Sequence, residues 1–313
     1  MRDAFVRALV REMTECPRTV VITGDLGFGV LRPIWEKWPD RILNAGIAEQ
    51  SMISLSAGLA MTGRKVVVYS IGNFPTIRPL EQIRNDCAYH GADVKIVCVG
   101  GGFVYGSLGM SHHATEDLAV MRAIPGVKVF APGDPVEAEA VIPAVFSTPG
   151  TCYLRIGRGG ELPAHREPIA GWRMPEAFLC REGKDLALLS SGGILTEVME
   201  AAEILSKQGL EAEVLSFPCV KPIDRNRIRE TVRRFPLIVT VEEHNIVGGF
   251  GSAVCEEAAA EGASCVIRRV GLSDTFTEVV GDQAYLREYY GISAKAIAEK
   301  AAAWIHEKRT DVG

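Results

Sequence analysis

The chain has 313 residues, 47% of them apolar and 23% charged, a balance that excludes a mainly disordered protein. At roughly 150 residues per domain, this length predicts about two domains. Thirty-four basic against 39 acidic side chains leave a net charge of −5, so there is no electrostatic footprint for nucleic acid or for an anionic membrane. No apolar run reaches the ~18 residues of a spanning helix. The opening MRDAFVRALVREM is an amphipathic pattern carrying Asp3 and Glu12, unlike a signal peptide. A soluble, cytoplasmic protein is expected. The eight cysteines include no C-x-x-C pair, and several, such as Cys98 in VKIVCVG and Cys152 in TCYLRIG, sit in apolar runs. There a cysteine acts as a small buried hydrophobe, the alternative being a reactive thiol. Neither the cysteines nor the six histidines fall at zinc-ligand spacing, so no metal site is expected.

Residues 3–15 read as a helix and 19–24 (TVVITG) as a short buried strand. A helix at 48–61, the strand KVVVYS, a helix at 78–90 and the strand VKIVCVG follow. Next come a helix around 116–123, the strand VKVFA, a helix at 135–147 and the strand TCYLRIG. Continuous apolar strands separated by helices predict a parallel sheet covered on both faces. This gives an α/β domain over 1–160. Residues 161–183 break the rhythm with prolines and read as a surface linker with a possible short strand near its end. The alternation restarts with DLALLSS, TEVMEAAEILSKQG, EAEVLSF, a helix near 224–234, LIVTVEE, a helix from about 250, SCVIRRVG and a closing helix over 293–308. A second α/β domain is expected over 184–313, so the fold class is two α/β domains with mainly parallel sheets flanked by helices.

Several site signatures are missing. No P-loop and no G-x-S-x-G elbow occurs. GGFGSAV at 248–254 follows a strand and opens a helix, but Val254 replaces the third glycine of a dinucleotide loop; a tight strand-to-helix turn explains it as well. The informative stretch is RILNAGIAEQSMISLSAGLAMTG at 41–63. Ile47, Met52, Ile53, Leu55 and Leu59 mark a helix, and Gly58 lets a neighbour approach closely. Glu49 begins this helix inside an apolar stretch. Two readings stay open: a carboxylate placed at a helix N-terminus, or a carboxyl group in a dry site that exchanges protons.

GIAEQ with S-x-x-x-x-A-G-L-A-x-x-G resembles the pyrimidine-binding domain of the transketolase family of thiamine-diphosphate enzymes. The likeness extends through QIRND at 82–86, SHHATEDLAVMRAIPG at 111–126 and VKVFAPGDPVEA at 127–138. VEEHNIVGGFGSAV at 241–254 and D-x-F at 274–276 resemble the transketolase C-terminal domain. The resemblance covers nearly the entire chain. It implies that Glu49 is the glutamate contacting N1′ of the aminopyrimidine, promoting the imino tautomer that leads to the ylid. Phe74 matches the second aromatic of an F-x-x-F stretch that packs on that ring, core packing being the alternative. Ile71 stands where the first aromatic is usual. Asp25, in GDL, matches an acidic residue close to the cofactor and dimer interface, or caps a helix. His112 matches the histidine of a T/S-H-Q segment that hydrogen-bonds substrate oxygens. Arg158 aligns with an arginine holding a substrate phosphate, for which a planar fork is suited; a surface arginine is the alternative. Arg155 lies nearby in the same stretch.

Three departures bear on substrate. Leu108 falls where the family has an acidic pair before the histidine segment, Phe28 lies where a serine is usual, and His113 replaces glutamine. The first two make the site more apolar, which directs the expectation to a modified or deoxy sugar or another aldehyde. The chain contains GDL, GDP and GDQ but no GDG, the segment that in this family holds the metal bridging the diphosphate. The resemblance therefore implies that this chain holds only the pyrimidine half of thiamine diphosphate. Mg²⁺ or Ca²⁺ would be held by a separate N-terminal subunit carrying the diphosphate site. A C-terminal subunit of a split transketolase-like enzyme follows, inactive alone and transferring a two-carbon ketol unit from a ketose (phosphate) to an aldehyde. Self-association as a dimer would give a heterotetramer. Two alternatives share the fold: a 1-deoxyxylulose-phosphate-synthase-like carboligase, which RGG at 158–160 fits in part, and the β subunit of a 2-oxo-acid dehydrogenase first component, whose Q-x-x-D-F and H-S-Q-S segments are missing. A non-catalytic assembly subunit is a further class, disfavoured by Glu49, Phe74 and His112 occurring together.

Overall fold

The computed structural model describes residues 1–310; the last three residues of the expected second domain, 311–313, lie outside the described residues. Helix α1 (Arg2–Glu15) buries Ala4, Phe5, Ala8, Leu9 and Met13 along one face, and Phe5 stacks on Tyr69 of the sheet at 5.6 Å. Next come β1 (Thr19–Thr23), the six-residue α2 (Arg32–Lys37), β2 (Ile42–Asn44), α3 (Glu49–Met61) and β3 (Lys65–Ile71). They are followed by α4 (Leu80–Gln82), β4 (Val94–Val99), α5 (Asp117–Ala123), β5 (Lys128–Phe130), α6 (Pro135–Ser147) and β6 (Cys152–Ile156). Strands β1, β4 and β6 are buried at every position, as expected where helices cover both faces of a parallel sheet. The second half holds β7 (Phe178–Arg181), β8 (Leu186–Ser191), α7 (Leu195–Lys207), β9 (Ala212–Ser216), β10 (Cys219–Lys221), α8 (Arg225–Arg234), β11 (Leu237–Asn245), α9 (Phe250–Ala260), β12 (Val266–Leu272), α10 (Gln283–Tyr289) and α11 (Ala294–Thr310). Among the described residues, no helix is long and apolar enough to cross a membrane.

The strands form a seven-stranded sheet, β10-β5-β6-β4-β3-β1-β2, and a five-stranded sheet, β12-β11-β8-β9-β7. All neighbours run parallel except β10 on β5 and β7 on β9. Strand β10 departs from the sequence reading. It follows β9 of the second sheet, yet it crosses to the first, with Cys219 opposite Phe130 and Lys221 opposite Val129. Pro218 O accepts Ala131 N at 2.8 Å, and Lys221 Nζ donates to the carbonyls of Arg122 and Ile124 at 2.8 and 2.6 Å. Three residues are too few to show periodicity, so only the pairing partner reveals the crossing.

The helix read at 78–90 also differs. Its α-helical part starts at Leu80, after Pro79, and passes into a π-helix over Ile83–Ala88; a residue preceding proline is biased out of the helical region. Gly58 has no neighbour within 4 Å of where its Cβ would lie, so the close approach expected there does not occur within this chain. On the same helix Met52 and Ile53 are buried, whereas Leu55 is 40% exposed and Ile47, just before it, 77%.

Between the halves runs a buried polar seam. Arg155 of β6 lies 3.5 Å from Asp117 Oδ1 and donates to Glu243 O of β11 at 2.8 Å. The Glu243 carboxylate accepts from Phe103 N at 2.5 Å, from Gln283 Nε2 at 2.9 Å and from Arg287 Nε at 2.7 Å.

Candidate functional site

The carboxyl ends of β1, β2, β3, β4 and β6 deliver Asp25, Asn44, Phe74, the loop bearing His112, and Arg158 to one edge of the larger sheet. That edge is where open parallel α/β sheets bind ligands. Glu49 is the first residue of α3 and only 8% exposed. Its Oε1 accepts from Arg78 Nη1 at 2.8 Å, an ion pair at the first turn of the helix. Arg78 in turn lies over the Phe74 ring, 3.9 Å from its centroid. His112 meets the same ring edge-on, with centroids 5.1 Å apart, and its Nδ1 is 3.1 Å from Ser111 Oγ. The His112 pKa is lowered, first by loss of solvent and then by the Arg78 cation and His113; a neutral imidazole can both donate and accept near pH 7.

Of the residues singled out from sequence, Glu49, Phe74 and His112 are thus brought into one chain of contacts, with Arg78 as the link. Sequence reasoning misses Arg78. Its signal is an arginine four residues after the aromatic, in F-P-T-I-R-P. Asp25 stands apart from this chain. It adopts a left-handed backbone (φ 58°), takes Asn44 Nδ2 at 3.0 Å and donates its N–H to Asn44 Oδ1 at 2.8 Å. Asn44 Oδ1 also accepts Gly46 N at 3.0 Å, so this pair braces the loop that leads into Glu49. The helix-capping alternative is not realised, because α2 begins after Leu31 with no side-chain cap.

Arg158 is exposed, 5.9 Å from the Tyr105 ring centroid, and borders a cleft of about 410 Å³ with Ser107, Gly159, Asp282 and Arg287. Arg155 is enclosed in the interdomain seam. His113 is buried and ties its loop to the second half, Nδ1 lying 2.7 Å from Thr277 Oγ1 and Nε2 3.0 Å from Gly106 O. Phe28 and Leu108 are 57% and 54% exposed. The GGFG turn serves an internal carboxyl group: Glu242 accepts from Phe250 N at 2.7 Å and Gly251 N at 2.9 Å at the start of α9. Added Cβ atoms at Gly249 and Gly251 would meet Glu242 Oε2 at 2.2 Å and Thr240 Oγ1 at 2.5 Å, so glycine is required by that carboxylate and not by a dinucleotide.

Arg78 lies over the Phe74 ring and hydrogen-bonds the Glu49 carboxylate, so a planar nitrogen-bearing group can meet both side chains at once. Comparison with known proteins defines the class: the model of the transketolase pyrimidine-binding domain matches residues 1–160, and that of the transketolase C-terminal domain matches 176–297. The chain therefore belongs to the transketolase family of enzymes, its relatives including split C-terminal subunits. It is 31% identical to one of the subunits of the apulose-4-phosphate transketolase of Actinobacillus succinogenes, covering 96% of each chain. It is 33% identical to a 6-deoxy-6-sulfo-D-fructose transketolase subunit of Clostridium sp., covering 96% of this chain and 93% of that one. A solved split-gene transketolase, described as an inactive β4 tetramer, superposes with a TM-score of 0.86 at 32% identity, covering 99% of this chain and 97% of that one.

Proposed function

We propose that this chain is the pyrimidine-holding subunit of a thiamine-diphosphate-dependent enzyme transferring a two-carbon ketol unit from a ketose (phosphate) to an aldehyde. The observation that carries the reading is the contact chain Glu49–Arg78–Phe74–His112 at the carboxyl edge of the sheet. Thiamine diphosphate, when bound, supplies a nucleophilic carbon and an electron sink for carbonyl chemistry. Glu49 holds a proton at the pyrimidine N1′, and Phe74 seats the ring face. His112, kept neutral by its surroundings, exchanges a proton at a substrate oxygen. Arg158 holds an anionic substrate end at the mouth of its cleft, and Asp25 positions the loop before Glu49.

The diphosphate and its Mg²⁺ or Ca²⁺ belong, in this proposal, to an N-terminal subunit with a GDG segment. The uncovered Ile47, Leu55 and Gly58 around α3 support a second chain against this helix, and the naming of the relatives as subunits supports a split enzyme. The named relatives are subunits of transketolases for apulose 4-phosphate and 6-deoxy-6-sulfo-D-fructose, and a modified sugar fits the exposed Leu108 and Phe28 at the loop ends. A dimer of this chain with two such partners gives a heterotetramer. The test combines the chain with a GDG-containing partner, thiamine diphosphate and Mg²⁺. Consumption of hydroxypyruvate or a ketose phosphate, absent without either subunit, is expected. Pyruvate decarboxylation in its place would point to the carboligase or dehydrogenase reading. Full activity of Glu49→Gln would refute the placement of the site.

A further inference from the structure

Glu137, His165 and Cys180 meet at the β5 end of the larger sheet, away from α3. They come from three segments: the first turn of α6, the connection between the two sheets, and β7. We infer that these three side chains form a zinc site that ties the connecting segment to both halves of the molecule.

The geometry is built around His165. Asp134, fully buried and the N-cap of α6, is saturated. Its Oδ1 accepts Glu137 N at 2.7 Å, and its Oδ2 accepts Ala164 N at 2.8 Å and His165 N at 2.9 Å. The same Oδ2 lies 3.1 Å from His165 Nδ1. A carboxylate oxygen only accepts, so Nδ1 carries the proton and Nε2 presents its lone pair on the far side of the ring. This is the carboxylate–histidine arrangement that orients imidazoles toward metals. On that far side lie Cys180 Sγ at 3.6 Å and Glu137 Oε1 at 3.8 Å from Nε2. All three ligand atoms fall within 4.8 Å of one another. A tetrahedral zinc ion, with Zn–S about 2.3 Å and Zn–N or Zn–O about 2.0–2.1 Å, sets N···S edges of about 3.6 Å and N···O edges of about 3.4 Å.

The second observation is an orphan. Glu137 is fully buried, and its Oε2 is bound by Gly133 N at 2.6 Å, yet among the described residues Oε1 meets no donor in hydrogen-bond geometry. Ser216 Oγ on β9 faces the same carboxyl group but falls outside hydrogen-bond geometry to it. A buried unpaired carboxylate oxygen is costly, and a cation among these three atoms removes that cost. Cys180 Sγ otherwise meets Phe178 O at 3.8 Å and the backbone N–H of Ser216. One glutamate, one histidine and one cysteine leave a fourth tetrahedral position for water, and a nitrogen–sulfur–oxygen set suits zinc over magnesium or calcium. In sequence the ligands lie far apart, so no spacing motif marks them.

The test strips the full chain with a chelator and titrates it with Co²⁺ and then Zn²⁺. One equivalent of Co²⁺ is expected to bind with a thiolate-to-metal charge-transfer band, and Zn²⁺ should abolish that band. Cys180→Ser should lose the band, and Asp134→Asn, which still caps α6, should weaken binding by about 10–100-fold. Zn²⁺ should raise the thermal midpoint of the wild type and not of Cys180→Ser. Should Cys180→Ser fold poorly by circular dichroism, His165→Gln on the partly exposed connection carries the same expectation. Absence of a band in the wild type, or a band retained in a folded Cys180→Ser or His165→Gln, overturns the site.

Discussion

Arg78 performs two tasks at once, pairing with Glu49 and lying on Phe74, and its charge reaches His112. Replacing it with alanine removes one of the influences that depress the His112 pKa. The imidazole of Arg78→Ala should therefore titrate at higher pH than in the wild type, followed by NMR of the ring carbons; an unchanged midpoint would show that Arg78 has no part in setting it. Glu49→Gln keeps the shape and removes the proton-exchanging carboxyl, so the assembled enzyme should lose about 10²–10⁴-fold in rate. Steady-state ketol transfer measures this loss, with an unchanged thermal midpoint confirming that the fold survives. Family likeness makes Glu49, Phe74 and His112 legible. Arg78 is not, because its two contacts are made by a turn whose geometry no local periodicity specifies.

Elements of this chain differ in what surrounds their glycines. At Gly183, just after β7, an added Cβ would lie 2.0 Å from Glu213 N and 2.1 Å from Ala212 C. Backbone cannot yield as a side chain can, so Gly183→Ala should cost about 1–3 kcal/mol by urea denaturation. Gly58 in α3 is the opposite case, open on every side. Gly58→Ala should stabilise the isolated chain by about 0.5–1 kcal/mol and weaken titration with the N-terminal partner if that partner packs on α3. At the start of α9, burial pushes the Glu242 carboxyl up to about 7 from its ordinary 4.5, against the pull of two backbone N–H groups. A raised folded-state value means the contribution is complete below about pH 4.5 and is lost as pH rises through about 7. Glu242→Gln removes this titration, so its denaturation midpoint relative to the wild type should improve between pH 5 and pH 8.

Across the whole molecule, the two sheets are locked together by β10 and by the seam around Glu243. Arg287 Nη1 reaches Glu197 at 3.1 Å and Nη2 reaches Glu243 at 2.6 Å, from a position only 8% exposed. Arg287→Met leaves two acidic groups without their cation, which costs about 3–5 kcal/mol when such a pair is buried. Calorimetry should show a lower midpoint and a transition that splits, since the halves lose their shared charge network; a single unshifted transition would contradict the seam's role. Two domains are expected from chain length and from the restart of alternation after the proline-rich stretch. Their interlocking is not, because a three-residue strand carries no pattern of its own.

Local information thus suffices for the identity and order of the long elements, since apolar runs and helical spacing are properties of neighbouring residues. The ordered motifs from GIAEQ at 46–50 to D-x-F at 274–276 likewise point together to the family. Which side chains meet is a different kind of quantity. The pairing of β10 with β5, the link from Glu49 through Arg78 to His112, and the gathering of Glu137, His165 and Cys180 depend on segments distant along the chain. Packing of the sheets brings them together, and sequence spacing carries no record of that distance in space.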